Sequence, residues 1–303
     1  MRACVVLLIA FLLSACAGAP AAPAIRLSQL EPLPTQSARV IPLRVAVAAV
    51  ISPRGTVESY RPLLDYLGRR LSRPVELVQR RTYAEVNDLL EQGEVDVAFV
   101  CTSAYVAGHD QFGMELLAAP QVNGAAVYHS VLIVPAESAA RSMADLRDKV
   151  FAFTDPMSTS GRMYPTWLVQ QFGATPDTFF ARTFFTYSHD DAIRAVAEEL
   201  ADGAAVDSLV YDFAVRRDPA LRDKTRVIHQ SPPFGIPPVV VRPDARPQLK
   251  AELRQALLDL SDDPHGAGKA ALQAIGVERF ILIEDSAYDS VRHVLDSVGA
   301  SAP

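Results

Sequence analysis

The stretch that decides the fold is "LRVAVAAVISPRGTVESYRPLLDYLGRRLSRPVELVQRRTYAEVNDLLEQGEVDVAFV", residues 43–100. It opens with a β-branched run, 43–50, of the kind that forms a buried parallel strand. Residues 56–71 and 83–93 then repeat apolar positions at helical spacing, and each of these segments is followed by a strand-like run. This β-α-β-α-β order predicts an open parallel sheet.

The same alternation recurs further along the chain. Strand-like runs are predicted at 74–79, 95–100, 129–135, 150–156, 205–212, 225–230 and 236–243, and helices at 142–149, 161–173, 188–203, 249–263 and 286–298. Extended segments near 128–134 and 233–241 join two such sections, which indicates two lobes with a crossing hinge. We expect lobe 1 to comprise residues 43–132 and 236–300, and lobe 2 residues 133–235. Both lobes should hold mixed, mostly parallel sheets with helices on both faces, with a ligand cleft between the lobes.

Composition excludes two classes of protein. Half of the 303 residues are hydrophobic and 21% are charged, which argues against global disorder. The formal net charge is −6, so a nucleic-acid surface with its basic stripe is not expected. A small anionic ligand remains compatible with this charge, because local donors govern a buried site.

The first residues have the features of an export signal. Arg2 precedes nine apolar residues, 5–13, too few to span a bilayer, and "LSAC" ends at Cys16. This order resembles a bacterial lipobox, in which Cys16 becomes the lipidated N-terminus. An ordinary secretory signal cleaved nearby is the alternative. Residues 17–42 are rich in Ala and Pro and are interpreted as a tether.

Export leaves Cys101 as the single cysteine of the folded part, since Cys4 belongs to the signal and Cys16 to the lipid anchor. An intramolecular disulfide is therefore not expected. Such a thiol is either buried and inert or retained for a function.

Two strand ends carry hydroxyl residues. "FTDPMSTSGRMYPTW", residues 153–167, places Ser158, Thr159 and Ser160 between a strand and a helix. Free N–H groups and the helix dipole at a helix start favour an anion, and Gly161 would allow close approach. A simple Ser/Thr helix cap is the alternative. The second strand end, "CTSAY" from Cys101, repeats the design, and we expect the two loops to converge across the cleft.

Four blocks carry a family resemblance. The stretch 43–106, "FTDPMSTSGRMYP", "TYSHDDAIRAVAEELADGAAVDSLVYD" and "SPPFGIPPVVV" resemble, in this order, the phosphate/phosphite/phosphonate substrate-binding family of ABC importers. The resemblance spans roughly residues 43–293. It implies a type II periplasmic-binding-protein fold, a non-catalytic role, no cofactor or metal, a periplasmic location and an ABC permease as partner. It also implies lobe closure on a small oxyanion.

The resemblance assigns roles to individual residues. Ser158, Thr159 and Ser160 should grip the anion oxygens. Tyr60 and Tyr105 match pocket aromatics, His189 matches a pocket histidine that could donate to the anion, and Asp207 matches an acidic pocket residue. A carboxylate beside an anion is costly unless it meets a proton or an amine, so Asp207 would select a protonated oxyanion or an aminoalkyl group. For Tyr60, Tyr105 and His189, core packing or helix capping is the alternative.

The chain departs from many members of the family at Cys101, which precedes Thr102 and Ser103. A related branch of arsenite-binding proteins that signal to a membrane histidine kinase uses a pocket cysteine, and arsenite prefers thiolate ligands. A helix start at this point would lower the pKa of Cys101. Sensing of arsenite or another oxyanion is thus the alternative function, and an apolar filler is the alternative role of the thiol.

An enzyme is the contrary class. Cys101, His189 and Asp207 could be drawn as a nucleophile triad, but the chain has no Gly-x-Ser-x-Gly elbow. We therefore expect a lipid-anchored, monomeric binding protein and no catalysis.

Overall fold

The computed structural model describes residues 41–299. The predicted signal segment, the predicted lipidation site Cys16 and all but the last two residues of the predicted tether lie outside this range. None of the helices within 41–299 is both long and apolar enough to cross a membrane.

The described residues form a mixed α/β structure. The strands are β1 (Leu43–Val47), β2 (Val75–Val78), β3 (Val97–Phe99), β4 (Glu115–Gln121), β5 (Val127–Tyr128), β6 (Ser130–Pro135), β7 (Val150–Phe153), β8 (Arg182–Phe185), β9 (Gly203–Asp207), β10 (Thr225–Gln230), β11 (Phe234–Gly235), β12 (Val239–Val241) and β13 (Arg279–Ile281).

The helices lie between these strands and on both faces of the sheets. They are α1 (Pro53–Arg70), α2 (Tyr83–Glu91), α3 (Thr102–Phe112), α4 (Tyr164–Gln170), α5 (Pro176–Phe179), α6 (His189–Ala197), α7 (Ser208–Arg217), α8 (Ala220–Lys224), α9 (Pro247–Leu258), α10 (Ala267–Ile275) and α11 (Asp289–Val298). Short 3₁₀ turns span Met143–Leu146, Asp259–Asp262 and Asp285–Tyr288, and a π-helical turn spans Thr159–Met163.

Two sheets define two lobes. Lobe 1 has a six-stranded sheet in the order β13-β4-β12-β3-β1-β2, and lobe 2 a five-stranded sheet in the order β10-β6-β9-β7-β8. The C-terminal part of the chain returns to lobe 1 through β12 and β13. The two-lobed α/β fold is therefore confirmed.

Pairing within the sheets is more antiparallel than the alternation of elements predicts. β1 lies parallel to β2 and β3, and β7 lies parallel to β8 and β9. The other neighbours in both sheets are antiparallel. In lobe 1 the chain leaves after β4 and returns before β12, and these two strands run antiparallel.

A two-stranded ribbon and one helix connect the lobes. β5 pairs with β11 antiparallel, with Tyr128 opposite Phe234. Helix α11 contacts α3 of lobe 1 and both α4 and the π-helical turn of lobe 2. The apolar cluster beneath this helix contains Tyr105, Met157 and Tyr288, so the lobes share a core on this side.

Local sequence signals set several element boundaries. Thr82 and Glu85 form a reciprocal capping box at the start of α2, and Gly93, with φ of 70°, follows its end. The strand predicted over 205–212 is wrong beyond Asp207. There the Asp207 carboxylate accepts from the N–H groups of Leu209 and Val210 at 2.7 and 3.3 Å and starts helix α7.

Candidate functional site

The two hydroxyl loops meet at the interface between the lobes. Thr102, at the start of α3 in lobe 1, has its Oγ1 2.7 Å from Oγ1 of Thr159 in lobe 2. The backbone N–H of Ser103 donates to the same Thr159 hydroxyl at 3.1 Å, and the Ser103 hydroxyl donates to the Met157 carbonyl oxygen. All of these side chains are buried. The loops therefore contact each other directly, at the first turns of two helical segments.

The three hydroxyl residues of the lobe 2 loop have different partners. Ser158 caps the π-helical turn, because its Oγ accepts from the Gly161 N–H at 3.0 Å. The Thr159 hydroxyl bonds to Thr102 and Ser103 of lobe 1. The carbonyl oxygen of Ser160 accepts from the Ser130 hydroxyl at 2.7 Å, whereas the Ser160 hydroxyl bonds to no residue within 41–299. Among these three residues, Ser160 is therefore the one whose hydroxyl has no hydrogen-bond partner in the described part of the chain.

Gly161 has a packing role that the sequence did not indicate. A Cβ at this position would lie 1.9 Å from Thr154 Oγ1 and 2.7 Å from Thr154 Cγ2. Its φ is not positive, so close packing against Thr154, and not an unusual backbone angle, requires glycine. This contact gives Gly161 a packing role, and the expectation that it allows a ligand to approach stays a prediction.

Cys101 lies at the same junction, immediately before α3. It is buried, and burial raises the pKa of its thiol. Hydrogen bonds from the backbone N–H groups of Thr159 and Ser103 lower this pKa, but their effect is the smaller one. The prediction that the helix start would lower the pKa is therefore wrong, because desolvation of the thiolate outweighs the donors.

Asp207 closes the lobe 2 side of the site at the end of β9. Burial raises the pKa of its carboxyl to about 7, against the opposing effect of the Leu209 and Val210 N–H groups. Both of those bonds go to Oδ1, so Oδ2 has no partner among the described residues. Near neutral pH this carboxyl can therefore either hold a proton or accept one.

His189 contacts Asp207 through the backbone. Its Nδ1 accepts from the Asp207 N–H at 3.0 Å, so the neutral ring carries its proton on Nε2. Burial lowers the pKa of His189 to about 3, and the ring stays neutral. Because the bond goes to the Asp207 backbone and not to its carboxylate, these groups do not form the Cys-His-Asp relay that a nucleophile triad needs.

Tyr60 faces this end of the site from lobe 1. Its ring centroid lies 5.2 Å from that of Phe99 in an edge-to-face arrangement. Burial, together with the Asp207 charge, raises the pKa of the Tyr60 phenol to about 12. Tyr60 and Asp207 line one cavity between the lobes.

Tyr105 lies apart from these residues. Its hydroxyl donates to Asp285 Oδ1 at 2.7 Å, and its ring centroid is 4.7 Å from that of Tyr288. This geometry fits the core alternative, in which Tyr105 anchors the C-terminal segment.

Sequence reasoning missed two residues of the junction. Asp155 is fully buried and bridges the lobes, accepting from the Met157 N–H at 2.7 Å and from the Tyr83 N–H at 3.1 Å. Burial raises the pKa of Asp155 to about 6. Its position at a strand end before Pro156 was the available signal. The Tyr83 hydroxyl is buried without a described hydrogen-bond partner, and burial beside Cys101, Asp155 and Asp207 raises its pKa well above the usual value.

A second contact between the lobes lies beside the cavity. Asp190 of lobe 2 accepts from the Ser52 N–H at 2.7 Å and from the Ser52 hydroxyl at 2.6 Å. The His189 N–H donates to the Val50 carbonyl oxygen at 2.9 Å. Each of these bonds forms only when the lobes are together, so they favour the closed arrangement.

Two lobes joined in this way form the two-lobed fold of periplasmic binding proteins. Among solved structures, a binding protein component of an ABC phosphonate transporter from Pseudomonas aeruginosa is similar, with a TM-score of 0.78 and 22% identity over 84% of this chain and 86% of that one. PhnD1 from Prochlorococcus marinus in complex with methylphosphonate has a TM-score of 0.76 and 18% identity, covering 85% and 98%. At these identities the likeness shows the fold.

Sequence comparison shows the family. The model of the family described as "ABC transporter, phosphonate, periplasmic substrate-binding protein" matches residues 45–288. A phosphate-import protein, PhnD, of Mycolicibacterium smegmatis is 28% identical over 312 residues, which covers 96% of this chain and 94% of that protein. The chain belongs to the phosphonate-binding family of ABC-transporter substrate-binding proteins. This family consists of extracytoplasmic transport components, and the resemblance in the sequence is confirmed.

Proposed function

We propose that the protein captures a small phosphorus oxyanion, such as a phosphonate, phosphite or phosphate, for an ABC importer. The observation that carries this proposal is the meeting of Thr102 and Ser103 with Thr159, each at the first turn of a helical segment. Helix N-termini with hydroxyl donors favour tetrahedral oxyanions. The named relatives, a phosphate-import protein and a methylphosphonate complex, support the same ligand class.

The proposed mechanism is lobe closure. Opening would separate Thr102 and Ser103 from Thr159, so that groups from the two lobes no longer surround one site. An anion between the lobes accepts from both sides, and its preference for the closed arrangement shifts the population toward it. Hydrogen bonds to a charged group contribute roughly 1.5–3 kcal/mol each, so a few suffice for micromolar binding after the cost of association.

Asp207 would select ligands according to their protonation state. With its pKa raised to about 7, the carboxyl can donate to an ionised oxyanion while it is protonated. Once ionised, it requires a ligand hydroxyl or an amine at Oδ2. A monoprotonated oxyanion satisfies this requirement in either state, because it offers both an acceptor and a donor.

Attachment and partner follow from the sequence and the family. We propose that Cys16 carries a lipid that tethers the binding domain to the membrane through residues 17–42. The monomer would then deliver its ligand to an ABC permease in the inner membrane.

Calorimetry with phosphate, phosphite and methylphosphonate tests the proposed ligand class. Ser160→Ala removes the hydroxyl that has no described protein partner, and we expect at least a tenfold loss of affinity. Ser297→Ala, an exposed serine on α11, is the matched control and should bind like the wild type. Failure of the wild type to bind any of the three anions would end the proposal, and unchanged affinity in Ser160→Ala would remove that residue from the site.

The arsenite alternative is tested in the same titrations. Cys101→Ser should bind phosphorus oxyanions with nearly unchanged affinity if the thiol only fills the junction. The sensor would be favoured by two results together. The wild type would bind arsenite and Cys101→Ser would not, and both proteins would bind the phosphorus oxyanions only weakly. The raised pKa of the buried thiol argues against it, since arsenite requires the thiolate.

A further inference from the structure

A cavity of about 130 Å³ lies between the lobes beside the oxyanion site. Tyr60 and Asp207 supply polar groups to its wall. Beyond them the wall is apolar, with Phe99, Pro120 and Phe280 from lobe 1 and Val210 and Phe213 from lobe 2 among its members. The exposed side chains of Asn123, Asp212 and Arg216 lie at its rim. The cavity is therefore lined mostly by hydrocarbon, with polar side chains at Tyr60 and Asp207 and at the rim.

The chain connects this cavity directly to the meeting loops. Phe99 and Val100 line it, and the next residue is Cys101 at the junction. On the other side Asp207 lines it, and the backbone of Asp207 pairs with Ser130, whose hydroxyl binds the Ser160 carbonyl oxygen. An anion held at the loops would thus point any substituent past Asp207 into this cavity.

We propose that this cavity receives an uncharged organic substituent of the bound anion, so that the preferred cargo is an organophosphonate with a hydrocarbon group larger than methyl. This inference rests on the function proposed above. The size is suitable, because an apolar cavity of about 150 Å³ takes up benzene. A charged substituent is disfavoured in the apolar part of the cavity, because the charged side chains of the lining are Asp207 and the rim residues Asp212 and Arg216. Val210, Phe213 and Phe280 are then residues that determine specificity.

The apolar wall has a measurable consequence for affinity. Each buried methylene contributes about 0.8 kcal/mol, which is roughly a fourfold gain in affinity. Propylphosphonate carries two methylenes more than methylphosphonate and should bind roughly fifteenfold tighter. Phenylphosphonate should also bind more tightly than methylphosphonate.

Val210→Phe tests the assignment by filling the cavity from lobe 2. Val210 is partly exposed on α7, so the larger ring can be accommodated without displacing core residues. We expect methylphosphonate affinity to stay within about threefold and the preference for propylphosphonate to vanish. Val277→Phe fills the cavity from lobe 1 and should act in the same way. Val227→Phe, an exposed position on β10, is the matched control and should keep the preference.

The outcomes separate the two proposals. If phosphate and methylphosphonate bind but the larger phosphonates bind no better, the cavity proposal is wrong and the proposed function stands. If no phosphorus anion binds, the proposed function fails first. Loss of the propyl preference in Val227→Phe as well would also overturn the assignment of the cavity. If Val210→Phe and Val277→Phe both lose methylphosphonate binding, the cavity holds the anion itself and not its substituent. That result would contradict the proposal.

Discussion

Replacing Asp207 by Asn should remove a large part of the pH dependence of folding. The Asp207 carboxyl is 3% exposed, and burial raises its pKa from 3.8 to about 7. Asparagine has the same shape, carries no titrating group and keeps an Oδ1 that can accept from the Leu209 and Val210 N–H groups. The substitution therefore removes the titration while preserving the cap of α7.

The sign follows from proton binding in the two states. Between about pH 4 and pH 7 the folded protein holds a proton on Asp207 that the unfolded chain has lost. The unfolded state thus binds fewer protons, and the free energy of unfolding falls as the pH rises through this window. Below about pH 4 both states are protonated, and above about pH 7 both are ionised, so the Asp207 contribution is constant on either side.

The magnitude comes from the difference between the two pKa values of Asp207. A pKa shift from 3.8 to about 7 lowers the free energy of unfolding by on the order of 4 kcal/mol across this pH window. The pKa of Asp155 is raised to about 6, so this residue also lowers the free energy of unfolding between about pH 4 and pH 6. That group is present in both proteins, so its effect cancels in the difference between wild type and Asp207→Asn.

Urea unfolding of dialysed protein from pH 4 to pH 8, followed by circular dichroism and by the fluorescence of Trp167, measures this difference. From pH 4 to pH 8, the free energy of unfolding of the variant should rise relative to that of the wild type by on the order of 4 kcal/mol. This relative rise should be complete above about pH 7. Asp223→Asn, an exposed carboxylate on α8, is the control and should follow the wild type. Parallel curves for wild type and Asp207→Asn would refute the reasoning, because they would mean that Asp207 titrates alike in the folded and unfolded states.

Three further outcomes are expected. Tyr83→Phe deletes a buried hydroxyl that has no described partner and should raise the free energy of unfolding by about 1–3 kcal/mol, measured in urea, whereas a decrease would reveal a partner. Gly161→Ala should destabilise the protein by about 1–3 kcal/mol, because its Cβ would overlap the Thr154 side chain. The double variant with Thr154→Ala should recover part of that loss in the same assay, and simple additivity would contradict the contact. Asp190→Ala removes both bonds to Ser52 and should weaken anion binding roughly tenfold in calorimetry, with a larger radius of gyration in X-ray scattering; an unchanged radius and affinity would show that these bonds do not hold the lobes closed.

Local sequence was sufficient for most of the elements and for their assignment to two lobes. The sequence of residues 43–100 predicts β1 to β3 and the helices between them, because hydrophobic periodicity and helix caps act over a few residues. The same local reasoning missed β4, β8 and β13, and it extended a strand through residues 208–212. At Asp207 a side-chain cap overrides the apolar run, and apolar residues alone do not distinguish a strand from a buried helix.

The sequence by itself determined that hydroxyl residues follow two strands, and therefore that two helix starts could hold an anion. Only the tertiary structure decided what each residue does there. It brings Thr102 onto Thr159, turns Tyr105 toward Asp285 and sets Tyr60 and Asp207 around one cavity. The raised pKa of Cys101 likewise belongs to the tertiary structure, because desolvation depends on what the other lobe covers. Capping and periodicity are local in the chain, whereas burial and contact between lobes are properties of distant segments packed together.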